Sequence, residues 1–328
     1  MAERSFTIED FPHARGGLPL LVRARDPQVD LLDAFAAVEP LVRDWLPRCA
    51  GILFRGFALG PAAESVERFR AFAAAFGHPL LSYEFGSTPR TNVTSGVYTS
   101  TEYPADQHIP LHNEQAYTRD WPMRIWFYCV QAAPVGGETP IADSRAIYRR
   151  IPADIRERFE RRGLMYVRNY GNGLDVPWQK VFNTDDRAVV EAYCRDHRIL
   201  CDWKEDGELR TRQICQSTAR HPVTGEAVWF NQAHLFHVSN LPEETRAALL
   251  DILDEEDLPR NVYHADGGPL DPADLAAIRA VLAEETVLFP WESGDVMMLD
   301  NMLAAHARTP FSGPRKVVVA MAEPHSAD

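Results

Sequence analysis

The feature that most constrains this chain is a spacing, His112-Asn113-Glu114, set in Ile109-Pro-Leu-His-Asn-Glu-Gln-Ala-Tyr117. A strand sends residues i and i+2 to one face, whereas a helix turns them nearly opposite ways. His112 and Glu114 therefore converge on one ion only where the segment is extended. Pro110 just upstream and Asn113, a poor helix former, favour that. A distant imidazole completes such a site in Leu299-Asp-Asn-Met-Leu-Ala-Ala-His306, followed by Arg308 and Arg315. Two imidazoles and one carboxylate on one face of an octahedron leave three positions open, the 2-His-1-carboxylate pattern of non-haem Fe(II) oxygenases. The fold must then carry two remote segments to one point.

Composition bounds the scaffold. The chain has 328 residues, 45% hydrophobic and 25% charged, ordinary for a globular enzyme. No linker, repeat or charge block marks a boundary, so one domain over residues 1–328 is expected, with residues 165–240 as a lid or insertion. The net charge of −13 and pI near 5.3 argue against nucleic acid or an anionic membrane as partner, and solubility is the simpler reading of the acidity. No apolar run approaches the ~20 residues of a membrane span, and MAERSFTIEDF has no signal-peptide core. Cys49, Cys129, Cys194, Cys201 and Cys215 form no C-x-x-C pair, and their odd number fits reduced thiols in a cytoplasm.

Periodicity predicts helices over 29–47, with Pro40 kinking or splitting the first, and over 61–76. A strand is expected at 51–57 between them. The stretch 80–107 reads as polar loop with short strand. Strands are expected at 124–130, 286–289, 294–299 and 316–322, with 208–216 and 226–230 flanking a hairpin turn at 221–225. Further helices open at 143, 151, 241 and 271, the last with Asp271 as N-cap and Pro272 at the first helical position. Early helices followed by short strands suggest a β-sandwich or jelly roll with helices packed on one side.

Beyond the two metal-ligand segments, Gly136-Gly-Glu-Thr-Pro140, Asp300-Asn301 and His306-Ala-Arg-Thr-Pro-Phe-Ser-Gly-Pro-Arg315 stand in a specific order. With these, most of residues 50–323 resembles the taurine dioxygenase and clavaminate synthase-like family of Fe(II)/2-oxoglutarate oxygenases. The branch it looks closest to is the amino-acid β-hydroxylases of nonribosomal peptide pathways. The resemblance implies a mainly β chain with flanking helices, folded as a double-stranded β-helix (jelly roll) whose mouth holds iron. It implies His112, Glu114 and His306 as ligands, and Fe(II), 2-oxoglutarate and O2 as cofactor and cosubstrates. Arg315 would hold the distal carboxylate of 2-oxoglutarate bidentately, and Thr139 resembles the threonine that hydrogen-bonds it. Arg308 would contact the cosubstrate, orient the site from behind, or pair at the surface. Lys316, the competing cation, falls on the other face of the last strand by alternation.

The implied reaction hydroxylates an unactivated C–H bond of an amino acid or amino-acid-derived small molecule, free or tethered to a peptidyl carrier protein, in secondary metabolism such as antibiotic biosynthesis. CO2 and succinate are the co-products. The carboxylate of Glu114 favours hydroxylation over halogenation, while desaturation and cyclisation stay open. Ser100, Gln107, His108, Gln115 and Asn231 lie in stretches that would line a substrate pocket. His234 and His237 are spare metal candidates, with a structural or pocket role preferred. A zinc hydrolase is the rival enzyme, but no His-Glu-x-x-His is present. A binding protein without turnover is the other rival, and every ligand it would have lost is in place.

Overall fold

Alternation builds the centre of the molecule. In the computed structural model, which describes residues 5–82, 91–100, 103–171, 173–205 and 207–327, the strand Asp120–Gln131 turns Ile125, Phe127 and Cys129 to one face and Trp126 and Tyr128 to the other. Its antiparallel neighbours repeat the pattern. Met297 and Leu299 of Val296–Asp300, and Val317, Val319 and Met321 of Lys316–Ser326, join the first face. Val296, Met298, Val318 and Ala320 join the second.

These strands lie inside an eight-stranded sheet ordered Phe6–Glu9, Leu20–Ala24, Gly51–Arg55, Val296–Asp300, Asp120–Gln131, Lys316–Ser326, Val97–Thr99, Asn92–Thr94. All neighbours are antiparallel except Leu20–Ala24 with Gly51–Arg55. Both faces are apolar, so both must be covered. The helices Phe35–Cys49 and Ser65–Ala74 cover the second face through Val38, Leu41, Val42, Phe69 and Phe72. The first face packs against Ile141, Ala304, Phe289 and Trp291. Of these, Ile141 and Ala304 belong to a three-stranded sheet, Ile109–His112, Ala304–Arg308 and Ile141–Asp143, that faces the large one. A further core forms around the four-stranded sheet Ile199–Trp203, Leu209–Cys215, Leu164–Tyr170, Arg260–His264, with the helix Pro272–Glu285 supplying Leu275, Ile278 and Leu282.

The expectation of a mainly β chain needs correction. Helices and strands take comparable shares, so the fold is mixed, strand-rich with helices. Part of the excess is the helix Arg187–Asp196, capped by Asp186 accepting from Ala188 N at 2.8 Å, within the stretch expected as a lid or insertion, where no helix was expected. The first helix begins at Phe35 because Asp30 accepts from the backbone of Leu32 and Asp33 and holds the residues before it in a turn. It runs through Pro40 and Pro47 without splitting.

The hairpin turn at 221–225 forms, but its arms are Thr218–Arg220 and Ala227–Trp229. Leu209–Cys215 pairs instead with Leu164–Tyr170 and Ile199–Trp203. The strand expected at 286–289 reduces to a bridge between Val287 and Ile141. Of the stretch 80–107 expected as loop and short strand, residues 83–90, 101 and 102 lie outside the described residues. Among the described residues, no helix is long and apolar enough to cross a membrane.

Candidate metal centre and its cavities

His112 and His306 are register partners across the antiparallel pair Ile109–His112 and Ala304–Arg308, and their ring centroids stand 4.4 Å apart. Glu114 Oε2 lies 3.7 Å from His306 Nε2. One ligand atom from each of His112, Glu114 and His306 falls within 4.8 Å of the others, the one grouping of this kind among the described residues. The His112 Nδ1–H donates to the Pro110 carbonyl at 2.8 Å, which leaves Nε2 as the unprotonated nitrogen that could ligate a metal. Phe127, from the inner face of the large sheet, packs its ring 5.0 Å from that of His306.

The extended segment stops sooner than its spacing suggested. The strand ends at His112, and Glu114 opens a turn in which Ala116 N donates to Asn113 O and Thr118 N to Gln115 O. Gln115 takes φ 56° to make that turn. What aims Glu114 is a network. Asn301, fully buried, accepts from Glu114 N at 2.7 Å and donates to the carbonyls of Glu114 and Pro122 at 2.9 and 2.8 Å. Asn113 donates to Asn301 O and Ser144 Oγ, Gln232 donates to Asn113 O, and His234 Nε2 donates to Leu111 O. The turn that delivers Asn301 is capped by Asp300, whose Oδ1 accepts from Met302 N and Leu303 N. His221 accepts at Nδ1 from Val223 N and Thr224 N, so its Nε2 donates to Asp300 Oδ2 at 2.9 Å.

Beside His112 and His306 a small cavity is lined by Ser100, Thr139, Arg308 and Arg315 among others. Arg315 donates from Nε to Gly137 O at 2.8 Å and from an Nη to Ser100 Oγ at 3.2 Å. Burial, and then the nearby Arg308 charge, pull its pKa down to about 10, so it is a cation at neutral pH. Thr139 Oγ1 accepts from Trp291 Nε1 at 3.0 Å, which leaves its hydroxyl proton to donate. Arg308, 5% exposed, donates to the carbonyls of Tyr103, Pro104 and Gln107. Its buried Nε has no acceptor among the described residues. Lys316 is exposed.

A far larger cavity, about 770 Å³, also reaches His112 and takes in Glu114. Gln107 and His108 stand in its wall. Of the other pocket candidates, Ser100 sits with Arg315, and Gln115 appears in the lining of neither cavity. Asn231 is 2% exposed and spent on the backbone, donating to Ser217 O and accepting from Ala233 N. His234 and His237 do not join the ligands. The first braces Leu111, and the second caps Ser239 at the cavity wall. Sequence reasoning assigned no role to Gln232, Asp175 or Arg260, which also line the large cavity. Asp175 and Arg260 meet only through the fold, and no local pattern marks them.

The family model described as Taurine catabolism dioxygenase TauD, TfdA family matches residues 15–321. Dapdiamide synthesis protein DdaC of Enterobacter agglomerans is 39% identical over 293 residues, covering 89% of this chain and 88% of that protein. A clavaminate synthase-like protein of Arabidopsis thaliana is 33% identical over 317 residues, covering 93% and 88%. In structure the chain is similar to PvcB, an Fe, alpha-ketoglutarate dependent oxygenase from an isonitrile synthetic pathway. The TM-score is 0.55 at 16% identity, with 98% of this chain and 93% of that one covered.

Proposed function

We propose a specific reaction from one premise: the chain belongs to the TauD, TfdA family and is an Fe(II)/2-oxoglutarate-dependent oxygenase. The residues present fit its cofactors. His112, Glu114 and His306 offer two imidazole nitrogens and a carboxylate oxygen within reach of one divalent ion. The Arg308 Nε, without an acceptor among the described residues, and the half-buried Arg315 cation give a dianionic cosubstrate a place beside them. The reaction we infer is hydroxylation of an unactivated C–H bond in an amino acid or amino-acid-derived small molecule of secondary metabolism. It would follow the amino-acid β-hydroxylase branch, on the double-stranded β-helix of the family. The carrying observation is the carboxylate of Glu114 held in the ligand set by Asn301. Similarity to a dapdiamide synthesis protein supports the biosynthetic setting.

Held by His112, Glu114 and His306, Fe(II) with 2-oxoglutarate and dioxygen would supply the oxidising chemistry: loss of CO2 and formation of succinate, which takes one oxygen atom, coupled to insertion of the other into a C–H bond. The chain does the rest. Asn301, Gln232 and His234 fix the backbone from Leu111 to Glu114, so the ligand atoms are set before substrate arrives. Arg315 and Thr139 bind and orient the far carboxylate of the oxo acid. Arg308 ties residues 103–107 over that pocket and limits water entry. The larger cavity presents the substrate to the open side of the ligands.

The same reading takes residues 1–328 as one oxygenase domain with residues 165–240 as a cover. Asp175, Gln232 and Phe236 in the cavity wall support it. It places the enzyme in the cytoplasm, where the five free thiols fit, and admits a substrate free or on a peptidyl carrier protein.

The test is anaerobic. Fe(II) and 2-oxoglutarate added to metal-free protein should raise a weak visible charge-transfer band that His112→Ala abolishes. Succinate release and a product gain of one oxygen then identify the substrate, offered free and carrier-bound in parallel. Tight zinc binding with no band would overturn the reading in favour of a hydrolase.

A further inference from the structure

The hairpin of Thr218–Arg220 and Ala227–Trp229 supplies no ligand and lines neither cavity, yet it reaches both halves of the metal centre. His221, 2% exposed, opens its turn. The backbone closes that turn, His221 N donating to Glu226 O at 2.9 Å and Gly225 N to His221 O at 2.8 Å. The imidazole closes it again, because Nδ1 accepts from Thr224 N at 3.1 Å and from Val223 N at 3.3 Å. With Nδ1 an acceptor, the ring proton sits on Nε2 and points at Asp300 Oδ2, 2.9 Å away.

Asp300 is thereby held on both oxygens. Oδ2 accepts from His221, and Oδ1 accepts from Met302 N and Leu303 N at 3.1 Å each. The next residue is Asn301, whose amide brackets Glu114 through its N–H and its carbonyl. If the Asp300 carboxylate rotated, its bonds to Met302 and Leu303 would break and the turn that presents Asn301 would loosen. The hairpin is itself anchored beside the other strands of the site. Arg145 joins Glu226 Oε2 at 3.1 Å to Asp143 Oδ2 at 2.8 Å, and Asp143 is the register partner of Ala304. Gln232, just past the second arm, donates to Asn113 O at 2.8 Å. A buried histidine on a carboxylate can serve stability alone. Here its acceptor stands one residue before the side chain that fixes a metal ligand.

We propose that His221 is a positioning residue for the metal centre. Acting through Asp300 and Asn301, it fixes the Glu114 carboxylate relative to His112 and His306, and so governs how tightly and in what ligand field the ion is held. This rests on the reading of those three ligands as an Fe(II) centre and adds a residue that touches neither ion nor substrate.

The experiment titrates metal-free protein with Co(II), reading affinity and the visible ligand-field spectrum, with the Tm of each metal-free variant alongside. His221→Ala should weaken Co(II) binding about tenfold, the low end for partners behind a ligand, and shift the spectrum. His221→Gln keeps an N–H donor toward Asp300 and should restore both. Asp300→Asn breaks the same link without a cavity, since either orientation of its amide sets two N–H donors against each other. It should reproduce the alanine spectrum, and it carries the test if the alanine variant does not fold. Because His221 acts through Asn301, the double variant His221→Ala with Asn301→Ala should bind Co(II) no more weakly than Asn301→Ala alone. A merely stabilising role would lower the Tm of His221→Ala and leave its affinity and spectrum as in the wild type. Losses that add in the double variant would put His221 on a separate route, and a glutamine variant as weak as the alanine one would remove the donor as the cause. Each of these three results overturns the inference and leaves the oxygenase reading standing. A wild type that binds no Co(II) would sink that reading and this inference with it.

Discussion

Side chains that need not touch the ion decide how well this site works. Asn301 satisfies both the N–H and the C=O of Glu114 and reaches Pro122 as well. Asn301→Ala would leave those buried groups without their partner and let the turn relax. Because partners behind a ligand typically govern 10–100-fold of metal affinity, Fe(II) binding in a calorimetric titration should weaken by about that factor; unchanged affinity would mean that the turn holds itself. His234 offers a second residue-scale prediction. Its Nε2 braces Leu111, and its buried Nδ1 has no partner among the described residues. Burial lowers its pKa to about 4 against an ordinary 6.5. The unfolded chain therefore takes up this proton first as pH falls. The stability from keeping the ring neutral is whole above about pH 6.5 and is lost toward about pH 4. At ~1.4 kcal/mol per unit that is about 3 kcal/mol at most. His234→Gln can still donate to Leu111, so its urea-unfolding stability should fall less steeply over that window than the wild type's. Parallel curves would remove His234 as the cause.

The connection from Val135 to Thr139 matters as an element because it has to pass between a backbone and a guanidinium. Val135–Gly136 pairs with Phe311–Ser312. A Cβ on Gly136 would sit 2.1 Å from the Pro310 carbonyl oxygen, and one on Gly137 2.9 Å from Arg315 Cδ. Both glycines also hold positive φ, 69° and 75°. Gly137→Ala should strain the turn and push Arg315 off its bond to the Gly137 carbonyl. We expect 2-oxoglutarate affinity, read from the charge-transfer band, to fall at least ~tenfold with Fe(II) affinity kept, since the metal ligands lie on other elements. Loss of both would show that the two pockets are not separable. The same elements show what the sequence could tell. The ligands His112, Glu114 and His306 were readable because their chemistry leaves a spacing, and Gly136-Gly137 because no other residue suits the geometry. The helix at 187–196 escaped because Val189 and Val190 dilute its helical signal, although Asp186 was a readable cap. The partners of Leu209–Cys215 escaped because strand pairing is settled by distant residues, which local alternation does not name. Asp175 and Arg260 escaped for the same reason.

Over the whole molecule, two segments far apart in sequence are joined by sheets, not by local contact. His112 and His306 are partners in the smaller sheet, and that sheet stays in place because the inner face of the larger one packs against Ile141 and Ala304. The Asp300-Asn301 turn leads directly out of the larger sheet, so the same backbone that crosses the core also fastens Glu114. Metal and cosubstrate should therefore stabilise the entire fold, not a loop. A ligand that binds only the folded chain adds RT ln(1 + [L]/Kd), about 2.7 kcal/mol at a hundredfold excess over Kd. Mn(II) with 2-oxoglutarate avoids turnover and should raise Tm by several degrees. Glu114→Ala keeps the sheets but removes the only carboxylate among the three ligands, so its own Tm should respond little to Mn(II) with 2-oxoglutarate. A rise in that variant as large as in the wild type would place the ion elsewhere in the molecule. A wild-type rise confined to early, local unfolding would show instead that the two sheets do not act as one cooperative unit.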